Sequence, residues 1–434
     1  MTMAVTASLI LLAVFAVIAL LGLPLAVAIV AAALAAVSLV APPDMALFTS
    51  AQKMMASLDS FSLLAVPFFI LSGVIMNSGG IAIRLVRFAQ LIAGRIPGSL
   101  SQTNIAGNML FGCISGSAIA ASTSIGGVLV PMQAQEGYDR DFAAAVNIAS
   151  APTGMLIPPT TAFIIYSLVA GGTSVAALFM AGAVAGILWG LCLMALTVVI
   201  AKRRNYPTVP SVPFRDALKI TMEAIPSLLL IVIIIGGIVL GVFTAVEASG
   251  IAVVYTLLLA FVIHRTTSPR DLWFFLVETA QITGAIMLLL AASAALSFAM
   301  AFTGIPAAIT SAILGISSDP VTVMLIINIL LLIVGCFMDI GPAILIFTPI
   351  LLPIATNVGV DPVHFGVIMV FNLAIGTITP PVGTGLFVGA SVAKVRVERA
   401  IRALGPFYVL LIALLLVITY WPALTLSLPR WLGI

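Results

Sequence analysis

The residues of this chain that could do chemistry carry oxygen, and they lie in two clusters. The first holds Ser115, Gly116, Ser117, Ser122 and Thr123 and, after an interval, Asn147, Ser150, Thr153, Gly154, Thr160 and Thr161. The second holds Gly335, Met338, Asp339, Gly341 and Pro342, followed by Asn372, Gly376, Thr377, Thr379 and Thr384. Hydroxyls and unwound backbone carbonyls offer oxygens to a small hard cation, whereas free N–H groups at a half-helix N-terminus suit an anion. Each cluster could therefore make one cation cage. A packing account competes at every position, because Ser and Thr in membrane helices also bond back to their own helix or join two helices, and Gly serves close approach.

Asp339 stands apart from the other acids. An ionisable group within an apolar stretch indicates function by default, and the alternative is capping of the half-helix that follows it. Asp139 and Asp361 each follow a Gly turn where a helix should begin, so N-capping accounts for both. Glu247 lies near a turn between two apolar runs, where a surface position suffices. Enzymatic chemistry has little to use: His264 and His364 pair with no nucleophile at recognisable spacing, and no Walker motif supports an internal ATPase. Cys113, Cys192 and Cys336 sit in apolar surroundings without ligand spacing and read as small buried hydrophobes. No organic cofactor is implied.

The elements that must position these clusters are set by composition. The chain of 434 residues is 62% hydrophobic and 7% charged, with a mean hydropathy of +1.31, against roughly 45–50% apolar and about 25% charged in soluble domains. It is a polytopic membrane protein, with room for about ten spans of about 20 residues each. Apolar runs predict spans at 4–22, 24–41, 61–78, 174–201, 224–243, 246–263, 272–300 and 403–421. The apolar run from Met1 to Val40 is too long for a secretion signal and its first basic residue is Lys53, so it reads as two retained spans. The net charge of +3 is spread over loops, so no nucleic-acid partner is expected and membrane lipid is.

The two clusters sit in a repeated frame. Pro131, Gly137, Asp139, Gly154, Pro158 and Pro159 recur as Pro353, Gly359, Asp361, Gly376, Pro380 and Pro381, every pair 222 residues apart, as from Pro131 to Pro353. Residues 1–205 and 212–434 are therefore two copies of one unit. In each copy, two apolar segments too short to span comfortably and joined by small residues read as a re-entrant hairpin, at 97–134 and 320–357. Each hairpin precedes a long helix broken in mid-membrane, at 139–170 and 361–392. Broken backbone at that depth must be buried in protein or line a wet cavity. Stretches 81–94 and 305–316 read as short interfacial helices.

Basic residues orient the chain. With 202–204 and 394–402 in the cytoplasm, all 17 Lys and Arg except Lys53 and Arg430 fall on that side. The N-terminus is then periplasmic and the two repeats are inverted, which places Asp139 and Asp361 on opposite faces. The expected fold class is an all-α polytopic membrane protein of two inverted-topology repeats, each with a re-entrant hairpin and a broken transmembrane helix. Inverted repeats with discontinuous helices are the architecture of secondary transporters.

The frames ISGSAIAASTSIGGVLVPMQAQEGYDRDFAAAVNIASAPTGMLIPPTT and CFMDIGPAILIFTPILLPIATNVGVDPVHFGVIMVFNLAIGTITPPVGTGLF resemble the large membrane subunit of tripartite ATP-independent periplasmic (TRAP) transporters, over nearly the whole chain. The resemblance implies an elevator-type fold of the ion-transporter superfamily in the bacterial inner membrane, and sodium-driven import of organic acids. It implies two partners, a small four-helix membrane subunit and a periplasmic substrate-binding protein. Carried over residue by residue, one sodium site falls on Ser115, Gly116, Ser117, Ser150, Thr153 and Gly154. The other falls on Gly335, Met338, Asp339, Gly376, Thr377 and Thr379. The substrate would sit between the hairpin tips, near Ser117, Asn147, Asp339 and Asn372. Hairpins and broken segments would form the moving unit, and the remaining spans a scaffold.

Three other readings stay open. One is a stand-alone sodium-coupled carboxylate carrier that needs no binding protein. The others are a membrane-embedded enzyme and a passive channel, the latter less suited to two pseudo-symmetric hairpins. Sialic acids, C4-dicarboxylates and keto acids all remain candidate substrates.

Overall fold

Long apolar segments in a bilayer must satisfy their own backbone hydrogen bonds, and helices do so locally. The structure, a computed structural model, describes residues 3–78, 81–207, 213–265, 267–316 and 319–434, and among these it is helical with no strand. Among the described residues eight helices are long and apolar enough to cross a membrane, or nine if Pro43–Leu58 and Phe61–Asn77, bent by 62°, act as one span.

The expected spans appear as Met3–Leu20, Leu25–Val37, Ala65–Ser78, Val175–Arg203, Phe214–Val239, Ala245–Leu257 with a π turn to Ile263, Asp271–Thr303 and Val397–Tyr420. Leu25–Val37 has only 13 residues, about 20 Å of helix, so the run at 24–41 is shorter than a full span. Two helices were not expected. Pro43–Leu58 and Pro422–Leu432 each open with Pro in the first turn, where its missing N–H costs nothing. Both mix polar with apolar residues, which hydropathy passes over.

Two helices joined by a short turn stand at each expected hairpin, but both arms of the second are among the eight helices long and apolar enough to cross a membrane, contrary to the expectation that they are too short. The first is Ser99–Ser115 with Ala118–Gln135, and the second Pro320–Phe337 with Ile340–Asn357. The segment after the first runs Arg140–Ser150, a 3-10 stretch Ala151–Met155, then Thr161–Val169. The segment after the second runs Pro362–Gly376, then Thr384–Ala393. Both breaks contain a cis Pro-Pro bond, Pro158-Pro159 and Pro380-Pro381. The expected caps are made: Asp139 Oδ1 accepts from the Phe142 N–H at 3.0 Å, and Asp361 Oδ1 from Val363 N–H at 2.8 Å. Glu247 closes a capping box with Thr244.

The halves interlock through their breaks. Thr161–Val169 packs on Ile340–Asn357 of the second hairpin, and Thr384–Ala393 packs on Ala118–Gln135 of the first. Val175–Arg203 lies against Pro362–Gly376, and Val397–Tyr420 against Arg140–Ser150. Those two spans, expected among the scaffold helices, are packed into the hairpin-and-break assembly. Gly182, Gly186 and Gly190 form the seam, since a Cβ on each would come within 2.5 Å of Phe163, Ile157 or Met109.

A second assembly joins Met3–Leu20, Leu25–Val37, Pro43–Leu58 and Asp271–Thr303 around Ala26, Ile29, Ala33, Ala292 and Leu296. The short helix Ile81–Ala93 buries Leu85, Ala89 and Ala93, one face at four-residue spacing, against the first hairpin. Its Arg87 lies 4.0 Å from Glu223 of Phe214–Val239. Ile305–Ile316 occupies the other expected short-helix position.

Tyr166 holds the two broken segments together, its hydroxyl donating to Pro362 O at 2.7 Å while Gly366 leaves room for its ring. Tyr166→Phe should cost about 0.5–1.5 kcal/mol. Thermal unfolding in detergent is the check, and an unfolding temperature equal to the parent's would show that this bond does not hold the halves together.

Candidate functional site

The first hairpin tip follows from two residues. Ser99–Ser115 ends because Gly116 adopts the left-handed conformation at φ +63°, its N–H closing on Gly112 O at 2.7 Å. Ser117 is extended, and its Oγ accepts from the Ala120 N–H at 3.3 Å, starting the second arm. Ser115 Oγ lies 3.5 Å from Ser117 O. Ser115, Gly116 and Ser117 are thus brought together at one turn.

The break meets this hairpin through backbone. A Cβ on Gly154 would lie 2.2 Å from Gly112 Cα, so the two chains touch where any side chain would separate them. Gly112 belongs to the site and was not singled out from the sequence. The signal available was a second glycine one turn before Gly116. Thr153 Oγ1 donates to Ser150 O at 2.6 Å, and Ser150 Oγ donates to Val146 O at 2.7 Å. Both hydroxyls therefore use their protons within the broken segment and keep oxygen lone pairs for other partners.

The second half repeats the contact. A Cβ on Gly376 would lie 2.4 Å from Gly335 Cα. The tip residues Met338 and Asp339 are both extended, and Asp339 stands at the N-cap position of Ile340–Asn357 with its carboxyl near the Ile340 N–H, without the regular capping bond to the second or third residue of the helix. Thr377 Oγ1 donates to Ala374 O at 2.8 Å and Thr379 Oγ1 to Ile375 O at 2.7 Å. The Thr377 carbonyl accepts from the Gly385 N–H at 2.9 Å.

Behind each tip lies a buried amide network. Asn108 Nδ2 donates to Asn104 Oδ1 at 2.8 Å, Asn147 Oδ1 at 3.2 Å and Ser150 Oγ at 2.7 Å. Asn147 Nδ2 donates to Ser122 Oγ at 3.0 Å. In the other half Asn372 Nδ2 donates to Asn328 Oδ1 at 2.9 Å, and Asn328 Nδ2 to Thr419 Oγ1 at 3.0 Å. Within these two networks Asn108 Oδ1 and Asn372 Oδ1 have no hydrogen-bond partner among the described residues, so each network holds a buried amide oxygen that could bind a cation.

A cavity of about 370 Å³ opens at the first tip. One wall is Ser115, Ser117 and Thr123 with Pro159 and Thr161 of the break, and the facing wall carries Asn77, Glu278, Leu230 and Ile282. The N-terminal ends of two half-helices, Ala118–Gln135 and Thr161–Val169, therefore face one space. Each start is capped, the Ala120 N–H by Ser117 Oγ and the Phe163 N–H by Thr160 Oγ1; their positive dipole ends suit an anion, and the Glu278 carboxylate in the same lining is the one charge set against it. Of the residues expected near substrate, Ser117 lines this cavity and Asp339, Asn147 and Asn372 do not. Asn147 and Asn372 are fully buried in the amide networks instead. Glu278 was missed; its signal was a lone acid inside the apolar helix Asp271–Thr303. A second cavity, about 250 Å³, is lined by Ser57, Ser60, Ser293, Ser297, Leu168 and Pro349.

Residues 12–424 match the family model described as "Tripartite ATP-independent periplasmic transporter, DctM component". The chain is 49% identical over 415 residues to the uncharacterized protein YgiK of Salmonella typhimurium, covering 96% of this chain and 95% of that one. It is 38% identical over 381 residues to the C4-dicarboxylate TRAP transporter large permease protein DctM of Pseudomonas aeruginosa, covering 88% and 89%. In fold it is similar to the crystal structure of the Alcanivorax borkumensis YdaH transporter, with a TM-score of 0.61 at 14% identity over 88% of this chain and 89% of that one.

Gly154→Ala should force the break off the hairpin and destabilise the protein by about 1–3 kcal/mol, whereas Gly127→Ala, with open space around it, should be near neutral. Equal unfolding temperatures for the two variants in detergent would contradict the backbone contact.

Proposed function

The chain belongs to the DctM-component family of tripartite ATP-independent periplasmic transporters, as a multi-pass permease subunit and not an enzyme, and on that premise we propose that it imports an organic acid across the bacterial inner membrane, driven by a sodium gradient. The carboxylate would be delivered by a periplasmic binding protein and pass through this chain in complex with a small four-helix membrane subunit. The N-terminus would be periplasmic. The observation that carries the reading is the pair of half-helix N-termini facing one cavity beside a serine-bearing tip. Two positive helix ends would draw a carboxylate there, with Glu278 the one opposing charge in the lining.

Sodium would bind at each tip, where hairpin and break touch through glycine. At the first tip the ligands would come from Ser115, Gly116, Ser117, Ser150, Thr153 and Gly154, and at the second from Gly335, Met338, Asp339, Gly376, Thr377 and Thr379. An ion there would fix the tip against its break and complete the anion site, so that the two ligands bind better together than alone. The moving unit would comprise both hairpins and both broken segments, together with Val175–Arg203 and Val397–Tyr420, which pack on them. The helices around Asp271–Thr303 would stay fixed, and alternating access would follow an elevator movement between the two assemblies.

Uptake of a labelled C4-dicarboxylate into proteoliposomes, with the sodium gradient and the binding protein varied separately, tests this reading. Uptake that requires both is expected. Sodium-driven uptake without the soluble protein would make the chain a stand-alone carrier, and equilibration without a gradient would make it a channel. Within the same assay Asp339→Ala should weaken sodium dependence more than membrane insertion, and unchanged sodium activation would remove Asp339 from the site.

A further inference from the structure

Far from either tip, four arginines converge on one cleft of about 550 Å³. Arg203 and Arg204 come from the end of Val175–Arg203 and the residue after it, Arg399 and Arg402 from the first two turns of Val397–Tyr420. The acids lining it are Asp139 and Asp141. Asp139 is committed, capping its helix and lying 4.0 Å from Arg204, whose guanidinium also stands 5.4 Å from the Phe142 ring centre. Arg203, Arg399 and Arg402 have no ion pair among the described residues, and Asp141 alone in the cleft lining, with Glu398 in the first turn of the second helix, remains to set against them.

Helix dipoles add to the imbalance. Arg399 and Arg402 occupy the N-terminal end of their helix, where the dipole is positive and cations are disfavoured. The N-terminus of Arg140–Ser150 opens on the same cleft. Asp139 and Asp141 offset the dipole of one helix and Glu398 that of the other, but three guanidinium groups without an ion pair still face one exposed space, which an anion would relieve.

The cleft is also graded. Arg399, Arg402, Ala403 and Pro406 form one stripe of their helix, charged at its end and apolar a turn further in. Ile200 lies a turn inside Arg203 and Arg204 in the same way. Charge at the rim and hydrocarbon below it match a phospholipid, with phosphate on guanidinium and glycerol and upper acyl chain against Ile200, Ala403 and Pro406. A free phosphate would leave the apolar floor unused. Basic residues gather at the cytoplasmic ends of membrane helices, where the leaflet is anionic.

We propose that this cleft binds the phosphate headgroup of an anionic phospholipid of the cytoplasmic leaflet. The test uses the full chain purified in a neutral detergent, followed by thermal unfolding against added phosphatidylglycerol, phosphatidylcholine or inorganic phosphate. Phosphatidylglycerol is expected to raise the unfolding temperature at concentrations where the other two do not. The double variant Arg399→Gln/Arg402→Gln should need about tenfold more phosphatidylglycerol, or above, for the same rise. Arg203→Gln, on another helix, should move the response the same way if the double variant folds poorly. Arg215→Gln/Lys219→Gln, exposed elsewhere, should respond as the parent does.

Equal responses to phosphatidylglycerol and phosphatidylcholine, or a parental response in the cleft variants, would overturn the proposal. So would an equal loss in the Arg215 and Lys219 variant, which would reduce the effect to general surface charge. If phosphate alone reproduces the rise and the cleft variants abolish it, the site takes the free anion and the lipid assignment falls. Each readout is independent of sodium, substrate and transport.

Discussion

Backbone that leaves the helix among buried apolar side chains must find its hydrogen bonds within the protein, and both breaks of this chain meet that demand. At each break the unwound residues are pressed against a hairpin arm closely enough that only glycine fits, Gly154 on Gly112 and Gly376 on Gly335. The hydroxyls nearby, Thr153, Thr377 and Thr379, turn back to carbonyls of the turn before. Asparagines then tie the helix leading into each break to the first arm of its hairpin, Asn147 through Asn108 and Asn372 through Asn328.

The same demand binds the halves to one another. Each broken segment leaves its own hairpin after the proline pair and finishes against the other one. Tyr166 reaching Pro362 is a local expression of that exchange. The two tips are thereby joined by directly packed helices and not by a linker.

Much of this was legible in the sequence wherever the controlling interaction is local. The Gly turn followed by Asp at 139 and 361 codes for a cap within three residues, and both caps form. The hairpins and breaks were legible because glycine and proline punctuate an otherwise uniform apolar text. What was not legible depends on residues far apart in the chain. Asn147 and Asn372 looked like substrate contacts, yet their partners come from a different helix 39 or 44 positions away. Gly112 carries no motif of its own and acquires its role only from Gly154. Glu278 was hidden because hydropathy averages a lone acid away, and Pro43–Leu58 because it is too mixed for a span reading yet helical all the same.

Asp271–Thr303 borders both cavities. Glu278, Ile282 and Ile286 line the one beside the first tip, and Leu290, Ser293, Ala294 and Ser297 line the other. At 1.5 Å per residue the midpoints of those two stretches stand roughly 17 Å apart. The helix is thus a ruler with two graduations, and a body that exchanged one cavity for the other would have its stroke length written into the pitch of a single rigid rod.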